Sequence, residues 1–172
     1  MFKRCRPGAI MGVASLTVLA LLAANWPWWV LEVFDPDSGR VLWRHRVEAG
    51  QEFTVAWIHS ISKQEVRETY RVEGPGSLRL EAMVFPEPGP NLPANPDEGT
   101  RWEIGKGSFR VTGYDQVLPE VSVGLGNWIA RHRLLLDGQE VCLGELHPAG
   151  GLVRLRVRTL TLAKYLLQEV RL

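Results

Sequence analysis

From Trp29 onward the sequence alternates between apolar and polar residues with a period of two, and turn-forming residues recur at short intervals. Successive side chains of a β-strand point to opposite faces of the sheet, so this period is typical of strands with one buried face. Asp137-Gly138 lies between two short apolar runs, which is a strong signal for a two-residue hairpin turn. The pattern predicts an all-β domain built from hairpins, either an antiparallel sandwich or a partly open barrel.

The same alternation predicts where the strands lie. A first hairpin is expected from residues 29–34 and 41–47, a second from 53–59 and 66–72, and further strands at 78–84, 102–104, 109–112, 134–136 and 141–143. Residues 86–100 contain five prolines and two glycines, so we expect a long loop there, of the kind that often carries function. Arg154, Arg156 and Arg158 alternate with apolar residues, which favours an edge strand with a solvated arginine face. The tail, residues 160–172, is expected to form a short helix.

Residues 9–24 carry no charge, and the first ionisable side chain after Arg6 is Glu32. A helix from residue 9 to residue 31 would extend roughly 34 Å at ~1.5 Å per residue, enough for a hydrocarbon core of ~30 Å. Basic residues precede this stretch and aromatic residues follow it: Lys3, Arg4 and Arg6, then Trp26, Trp28 and Trp29. By the positive-inside rule, the N-terminus faces the cytoplasm and the remainder of the chain lies outside the membrane.

A cleaved secretory signal has a similar basic and then apolar pattern, and it is the alternative to an anchor. Cleavage favours small residues at both positions of an A-x-A-like site, and Leu21 or Leu22 stands at one of them here. We therefore expect residues 1–27 to be a single-pass anchor in the cytoplasmic membrane and residues 28–172 to be an extracytoplasmic β-domain. Cleavage would instead release the same domain as a secreted protein.

Charge and cysteine content argue against a nucleic-acid ligand, a disulfide and a metal site. The net charge is +1, and beyond the basic leader the acidic residues outnumber the basic ones, so a nucleic-acid ligand is not expected. Cys5 and Cys142 are expected on opposite sides of the membrane, where they cannot pair with each other. The sequence contains neither a C-x-x-C pair nor an H-E-x-x-H motif, and we expect no metal and no cofactor.

His59 and Glu68 are the polar residues on an otherwise apolar face of the second hairpin. If Trp57 pairs with Glu68 and His59 pairs with Val66, with residues 60–65 as the loop, the two are diagonal neighbours at about 7 to 8 Å between backbones. The simplest interpretation is a structural hydrogen bond that fixes the register of the hairpin.

Two functional interpretations stand beside the structural one. In the first, His59, Ser60, Glu65 and Glu68 converge at the strand ends and bind a metal or a small polar molecule. In the second, Ser60 is a nucleophile and a histidine is its base. Adjacent strand residues point to opposite faces and no G-x-S-x-G elbow surrounds Ser60, so this hydrolytic interpretation ranks last.

The segment Trp57-Ile58-His59-Ser60-Ile61, followed by Glu65 and Glu68, resembles the aromatic-x-His-Ser-Val motif of the bacterial domain of unknown function numbered eighteen-fifty. The loop of residues 88–93 resembles that family's Gly-x-Gly-Leu-Pro segment, with Asn91 in place of the second glycine. Its candidate residues are Gly89, Asn91, Leu92 and Pro93. Residues 132–134 and the Asp137-Gly138 turn are also similar, and the resemblance covers about residues 28 to 146.

The resemblance implies a non-enzymatic role. Members of this family are typically encoded beside the fused membrane subunit of TAXI-type TRAP transporters, which take up organic acids with an extracytoplasmic binding protein, and the family has no established catalytic reaction. This implies a membrane-tethered accessory protein whose partner is the transporter's membrane subunit or its solute-binding protein. The alternative hypothesis is an envelope metal-binding protein or hydrolase that uses His59 and Glu68.

Overall fold

A computed structural model describes residues 23–89, 92–95, 97–105, 107–126 and 130–169. Within these ranges the strands are β1 (Pro27–Phe34), β2 (Val41–Val47), β3 (Glu52–Ile58), β4 (Glu65–Gly74), β5 (Ser77–Phe85), β6 (Arg101–Gly105), β7 (Ser108–Thr112), β8 (Val117–Leu118), β9 (Val121–Gly124), β10 (Arg133–Leu136), β11 (Gln139–Cys142) and β12 (Leu152–Thr161). Helix α1 covers Leu143–Leu146 and helix α2 covers Leu162–Glu169.

The expected membrane anchor lies mostly outside the described residues, which begin at residue 23. Across the ranges given above, no helix is both long enough and apolar enough to cross a bilayer. The predicted anchor therefore stays a prediction, except that its expected helix cannot extend to residue 31, because strand β1 begins at Pro27.

Residues 29–158 form one compact unit, and its strands lie in two sheets. The small sheet has the order β2-β1-β12-β9, and the large sheet has the order β11-β10-β3-β4-β5-β7-β6, with β8 paired to β5. The predicted hairpins β1–β2, β3–β4 and β10–β11 are antiparallel pairs. The expectation of an antiparallel all-β domain is confirmed.

The two sheets share one apolar core, because the period-two pattern places apolar side chains on the facing sides of both. Leu31 and Val33 contribute from the small sheet, and Phe53 and Val55 contribute from the large sheet. A second cluster continues on the same face of the large sheet and consists of Val66, Met83, Phe85 and Val111. Leu92, from the proline-rich loop, packs against this second cluster, so the loop covers one end of the sheet face.

The prediction that β12 is an edge strand is wrong, because β12 lies between β1 and β9. Two of its arginines, Arg154 and Arg156, pair with acidic residues of neighbouring segments, whereas Arg158 is exposed. Arg156 donates from Nε and Nη2 to Glu32 Oε2, both over 3.2 Å, and its guanidinium lies 3.8 Å from the ring centre of Phe34. Arg154 donates to Glu120 Oε2 over 3.2 Å. Glu32 is only 1% exposed, so Arg156 pairs with a buried carboxylate instead of facing solvent at a sheet edge.

The second compact unit comprises the N-terminal segment up to Trp28 together with Thr159 and the residues that follow it. Helix α2 confirms the predicted helix in the tail. Its start is capped by Thr161, whose Oγ1 accepts a hydrogen bond from the backbone N–H of Lys164 over 3.3 Å. The rings of Trp28 and Tyr165 lie 6.1 Å apart at an angle of 49°.

Candidate functional site

The β3–β4 hairpin has a different register from the predicted one. Trp57 pairs with Val66, and Val55 pairs with Glu68. The predicted pairing of Trp57 with Glu68 is therefore wrong by two residues, and the loop is shorter than expected.

The short loop explains this register. The backbone N–H of His59 donates to the carbonyl of Gln64 over 2.8 Å, and that of Lys63 donates to the carbonyl of His59 over 2.9 Å. Lys63 adopts a left-handed conformation with φ of 57°, which reverses the chain direction within residues 60–63. His59 thus lies opposite Gln64, and Glu68 lies opposite a residue four positions before His59. At ~3.3 Å per residue this separates the two backbones by roughly 13 Å, so the predicted diagonal contact does not form.

His59 is buried between the hairpin turn and the proline-rich loop, with 9% of its surface exposed. Its Nδ1 accepts a hydrogen bond from the backbone N–H of Ser62 over 3.4 Å and lies 3.2 Å from Ser62 Oγ. Because a backbone N–H can only donate, Nδ1 is the acceptor in this contact. A Cβ at Gly89 would lie 3.5 Å from His59 Cε1, so the loop backbone passes beside the imidazole. The structure therefore brings the His-Ser segment and the glycine-containing loop together.

Of the other candidate residues in the proline-rich loop, two can be placed in the structure. Leu92 and Pro93 are half-buried, and Asn91 lies outside the described residues. Leu92 also contacts Gly89 closely, since a Cβ on that glycine would lie 3.9 Å from Leu92 Cδ1. The loop thus contacts the sheet through the apolar side chain of Leu92, and its backbone at Gly89 lies beside His59.

Glu65 and Ser60 do not form a common site with either His59 or Glu68. Glu65 is an odd number of residues from Glu68 on the same strand, so its side chain points to the opposite face of the large sheet. It forms an ion pair with Arg67 over 2.5 Å and another with Arg133. Ser60 is exposed in the turn, where its carbonyl accepts a hydrogen bond from the Lys63 ammonium over 2.5 Å. The four predicted ligands are not convergent, and ligand binding by any one of them stays a prediction.

Electrostatics support a structural role for Glu65. Burial disfavours its charged form, but hydrogen bonds and charge from Arg67 and Arg133 outweigh burial and hold the pKa of Glu65 below its usual value. The carboxylate therefore stays ionised, and it ties β4 to β10 across the outer face of the large sheet.

Glu68 belongs to a half-buried polar cluster that the sequence analysis missed. The phenol of Tyr70 donates to Glu68 Oε2 over 2.6 Å. Burial raises the pKa of Glu68, whereas the Tyr70 hydrogen bond opposes that shift. Burial, followed by the charges of Glu68 and Asp97, raises the pKa of Tyr114 to about 12. The Tyr114 hydroxyl is buried and has no hydrogen-bond partner among the described residues.

The sequence held a partial signal for this cluster. Glu68 and Tyr70 are two residues apart on one strand, which places them on the same face and within side-chain reach. Tyr114 follows β7, and no local pattern indicates that it approaches β4.

A cleft of about 610 Å³ lies beside the β10–β11 hairpin. Its lining includes Ile58, Arg131, His132, Arg133 and Cys142. The His132 ring stacks on Trp57 with centroids 6.4 Å apart, and burial lowers the pKa of His132, so the imidazole is neutral at pH 7. Residues 132–134 were noted only for their family resemblance, and the sequence analysis did not predict the cleft.

The described residues contain no group of three or more His, Cys, Asp or Glu side chains placed to hold a metal ion. The geometry instead provides a sheet on which Glu65 pairs with Arg67 and Arg133 and Glu68 accepts from Tyr70, next to a loop that contacts His59 and places Leu92 against the core. Such an arrangement can present a shaped surface to a partner.

A model of the family described as Domain of unknown function (DUF1850) matches residues 53–143. This is more than half of the chain and runs from β3 to the start of α1. The matched segment contains His59, Glu68, the proline-rich loop and most residues that line the cleft. No curated protein and no solved structure matches the chain.

Proposed function

The chain belongs to the Domain of unknown function (DUF1850) family, and on that premise we propose that it is a membrane-tethered extracytoplasmic accessory protein. Its proposed task is to assist a TRAP-type (TAXI) solute transporter by binding to the membrane subunit or to the solute-binding protein. No catalytic step is part of this proposal.

The observation that carries the proposal is the pairing of the polar residues around the His-Ser segment. Glu65 is held by Arg67 and Arg133, and Glu68 accepts a hydrogen bond from Tyr70. These contacts stabilise the hairpin and fix its shape, which is what a binding module requires of its scaffold. A general acid or nucleophile would instead have to reach a substrate.

The tether is supported by the sequence before β1. Residues 9–24 are uncharged, and β1 begins at Pro27, only a few residues after this stretch ends. A leader that crosses the bilayer would therefore connect to the sheet through a very short segment. The domain would be kept close to the membrane surface and within reach of a transporter's extracytoplasmic side.

Co-purification from membranes tests the association. The full chain, tagged at its C-terminus, is expressed in cells that contain a TAXI-type transporter, cross-linked, extracted in mild detergent and purified. We expect the fused membrane subunit or the solute-binding protein of the transporter to be recovered with it. Recovery of the chain without any transporter component would contradict the proposal. An unrelated single-pass protein with the same tag controls for non-specific capture.

A further inference from the structure

The compact unit that contains residues 23–28 and the chain from Thr159 exposes an unusual amount of apolar surface. Trp26, Leu166 and Leu167 are 67%, 52% and 69% exposed. Among the described residues, the other large apolar side chains with comparable exposure are Ile61, Ile104 and Val117, which are spread over the much larger unit of residues 29–158. Apolar exposure is thus concentrated where the described chain begins and ends.

Helix α2 is too short to be stable in water on its own. It has eight residues, and helices of fewer than about 12 residues are marginal in water without packing of an apolar face. Its start is specified by the Thr161 cap, and Tyr165 contacts Trp28, but the side chains of Leu166 and Leu167 remain exposed. A further surface is needed to cover them.

The position of α2 indicates which surface this is. The contact between Tyr165 and Trp28 joins the helix to a residue four positions after the uncharged stretch ends, and the exposed Trp26 precedes Trp28 by two residues in the sequence. Trp and Tyr side chains are favoured at the membrane–water interface, where an indole or phenol meets both headgroups and acyl chains. Lys164 is exposed on the same helix, and its ammonium suits anionic headgroups.

We propose that α2 and Trp26 lie in the interface of the bilayer that the leader crosses, so that the chain contacts lipid at both ends of the domain. This inference rests on the proposed tether and goes beyond it, because the tether alone requires only the leader. Two contacts restrict how the domain can rotate about its anchor, which gives it one orientation relative to a partner in the membrane.

Site-specific fluorescence tests the inference. In the full chain with Cys5 and Cys142 replaced by alanine, single cysteines are introduced as Leu166→Cys, Leu167→Cys and, as the matched control, Ile104→Cys. Each is labelled with an environment-sensitive dye and reconstituted into vesicles of phosphatidylcholine and phosphatidylglycerol without any transporter. Ile104 is also a large exposed side chain, at 75%, but it lies on β6 in the other unit.

We expect the dye at positions 166 and 167 to emit at shorter wavelength than at 104, to be quenched by lipids with an acyl-chain quencher, and to resist aqueous iodide severalfold better. Equal iodide quenching at all three positions would overturn the inference. Carbonate extraction of the same vesicles separates the two proposals. A chain that resists extraction while positions 166 and 167 remain aqueous keeps its tether but lacks the helix contact, and a chain released by carbonate contradicts both.

Discussion

The Tyr70 hydroxyl donates a hydrogen bond to Glu68 Oε2 over 2.6 Å, and burial raises the pKa of that carboxyl group. Glu68 pairs across the sheet with Val55 and with Met83, so it lies in the middle of an apolar face. A carboxylate in this position opposes folding when it is charged, and the phenol offsets only part of the cost.

The first prediction concerns the pH dependence of stability. Because the folded-state pKa of Glu68 is raised, its contribution is fully present below the ordinary value of 4.5 and is lost as pH rises through the folded-state pKa. Glu68→Gln should therefore raise the free energy of unfolding at pH 7 and reduce its fall between acidic and neutral pH. Urea denaturation of the full chain in detergent at several pH values measures this. Glu103→Gln, exposed on β6, is the control, and a Glu68→Gln variant that is less stable than wild type at pH 7 would contradict the prediction.

The hydrogen bond itself gives the second prediction. Tyr70→Phe removes the donor and leaves the half-buried carboxylate of Glu68 without it, so the free energy of unfolding at pH 7 should fall by about 1–3 kcal/mol. In the Glu68→Gln background the same change should cost less, because a neutral amide needs the donor less than a carboxylate does. A double-mutant cycle by urea denaturation measures the difference. Equal losses in both backgrounds would contradict the prediction, because they would show that the Tyr70 hydroxyl does not act through the Glu68 carboxylate.

The third prediction concerns the ion pair between Glu65 and Arg133. The pKa of Glu65 is lowered, so its stabilising contribution is present above its ordinary pKa and is lost as pH falls through the folded-state value. Glu65→Gln and Arg133→Met should show a coupling free energy of ~1 kcal/mol at pH 7 that disappears in acid. The exposed pair Arg46 and Glu48 serves as the control, for which no measurable coupling is expected. Additive effects of the two variants at pH 7 would refute this account of Glu65.

His59 separates the accessory role from the competing metal-binding or hydrolytic hypothesis. His59→Ala should lower stability by about 1–3 kcal/mol, because it leaves a gap between the hairpin turn and the loop and removes the acceptor of the Ser62 N–H. Calorimetric titration with zinc should show no saturable binding by the wild-type chain. Saturable binding that His59→Ala and Glu68→Gln each abolish would instead favour the metal-binding hypothesis.

Two glycines near the proline-rich loop should respond differently to alanine. At Gly113 the φ is 81° and a Cβ would lie 2.6 Å from the carbonyl oxygen of Gly99, so the backbone would have to move. At Gly89 the Cβ would make ordinary contacts with His59 and Leu92. Gly113→Ala should therefore cost more than ~1 kcal/mol, whereas Gly89→Ala should change stability by a few tenths. Thermal melts of both variants test this ranking, and the reverse order would contradict the described loop geometry.

Much of the fold follows from the sequence, because period-two alternation assigns each side chain to a face. The Asp137-Gly138 turn was located for the same kind of local reason, since both residues adopt positive φ, of 50° and 73°. The register of β3–β4 could not be obtained in this way. A shift of two residues keeps Val66, Glu68 and Tyr70 on the same face, so the apolar pattern fits both registers equally well.

Contacts between residues that are far apart in the sequence also could not be predicted. β12 was expected at an edge because its arginines suggested solvent, but Glu32 and Glu120, which come from distant segments, pair with Arg156 and Arg154. Tyr114 reaches the Glu68 region from the end of β7 through the tertiary fold alone. The meeting of His59 with Gly89 likewise depends on how the proline-rich loop folds back, although the family motifs drew attention to both residues.

Measurements of solute uptake decide whether the chain assists a TAXI-type transporter. Cells that carry a TAXI-type transporter are compared with and without this chain, with radiolabelled organic acids as substrates and the transporter level measured in parallel. We expect uptake or its solute specificity to be impaired without the chain and to be restored by the wild-type chain and by Glu68→Gln, which removes the carboxylate but preserves the fold. Unaltered uptake and specificity in cells that lack the chain would rule out the proposed accessory role.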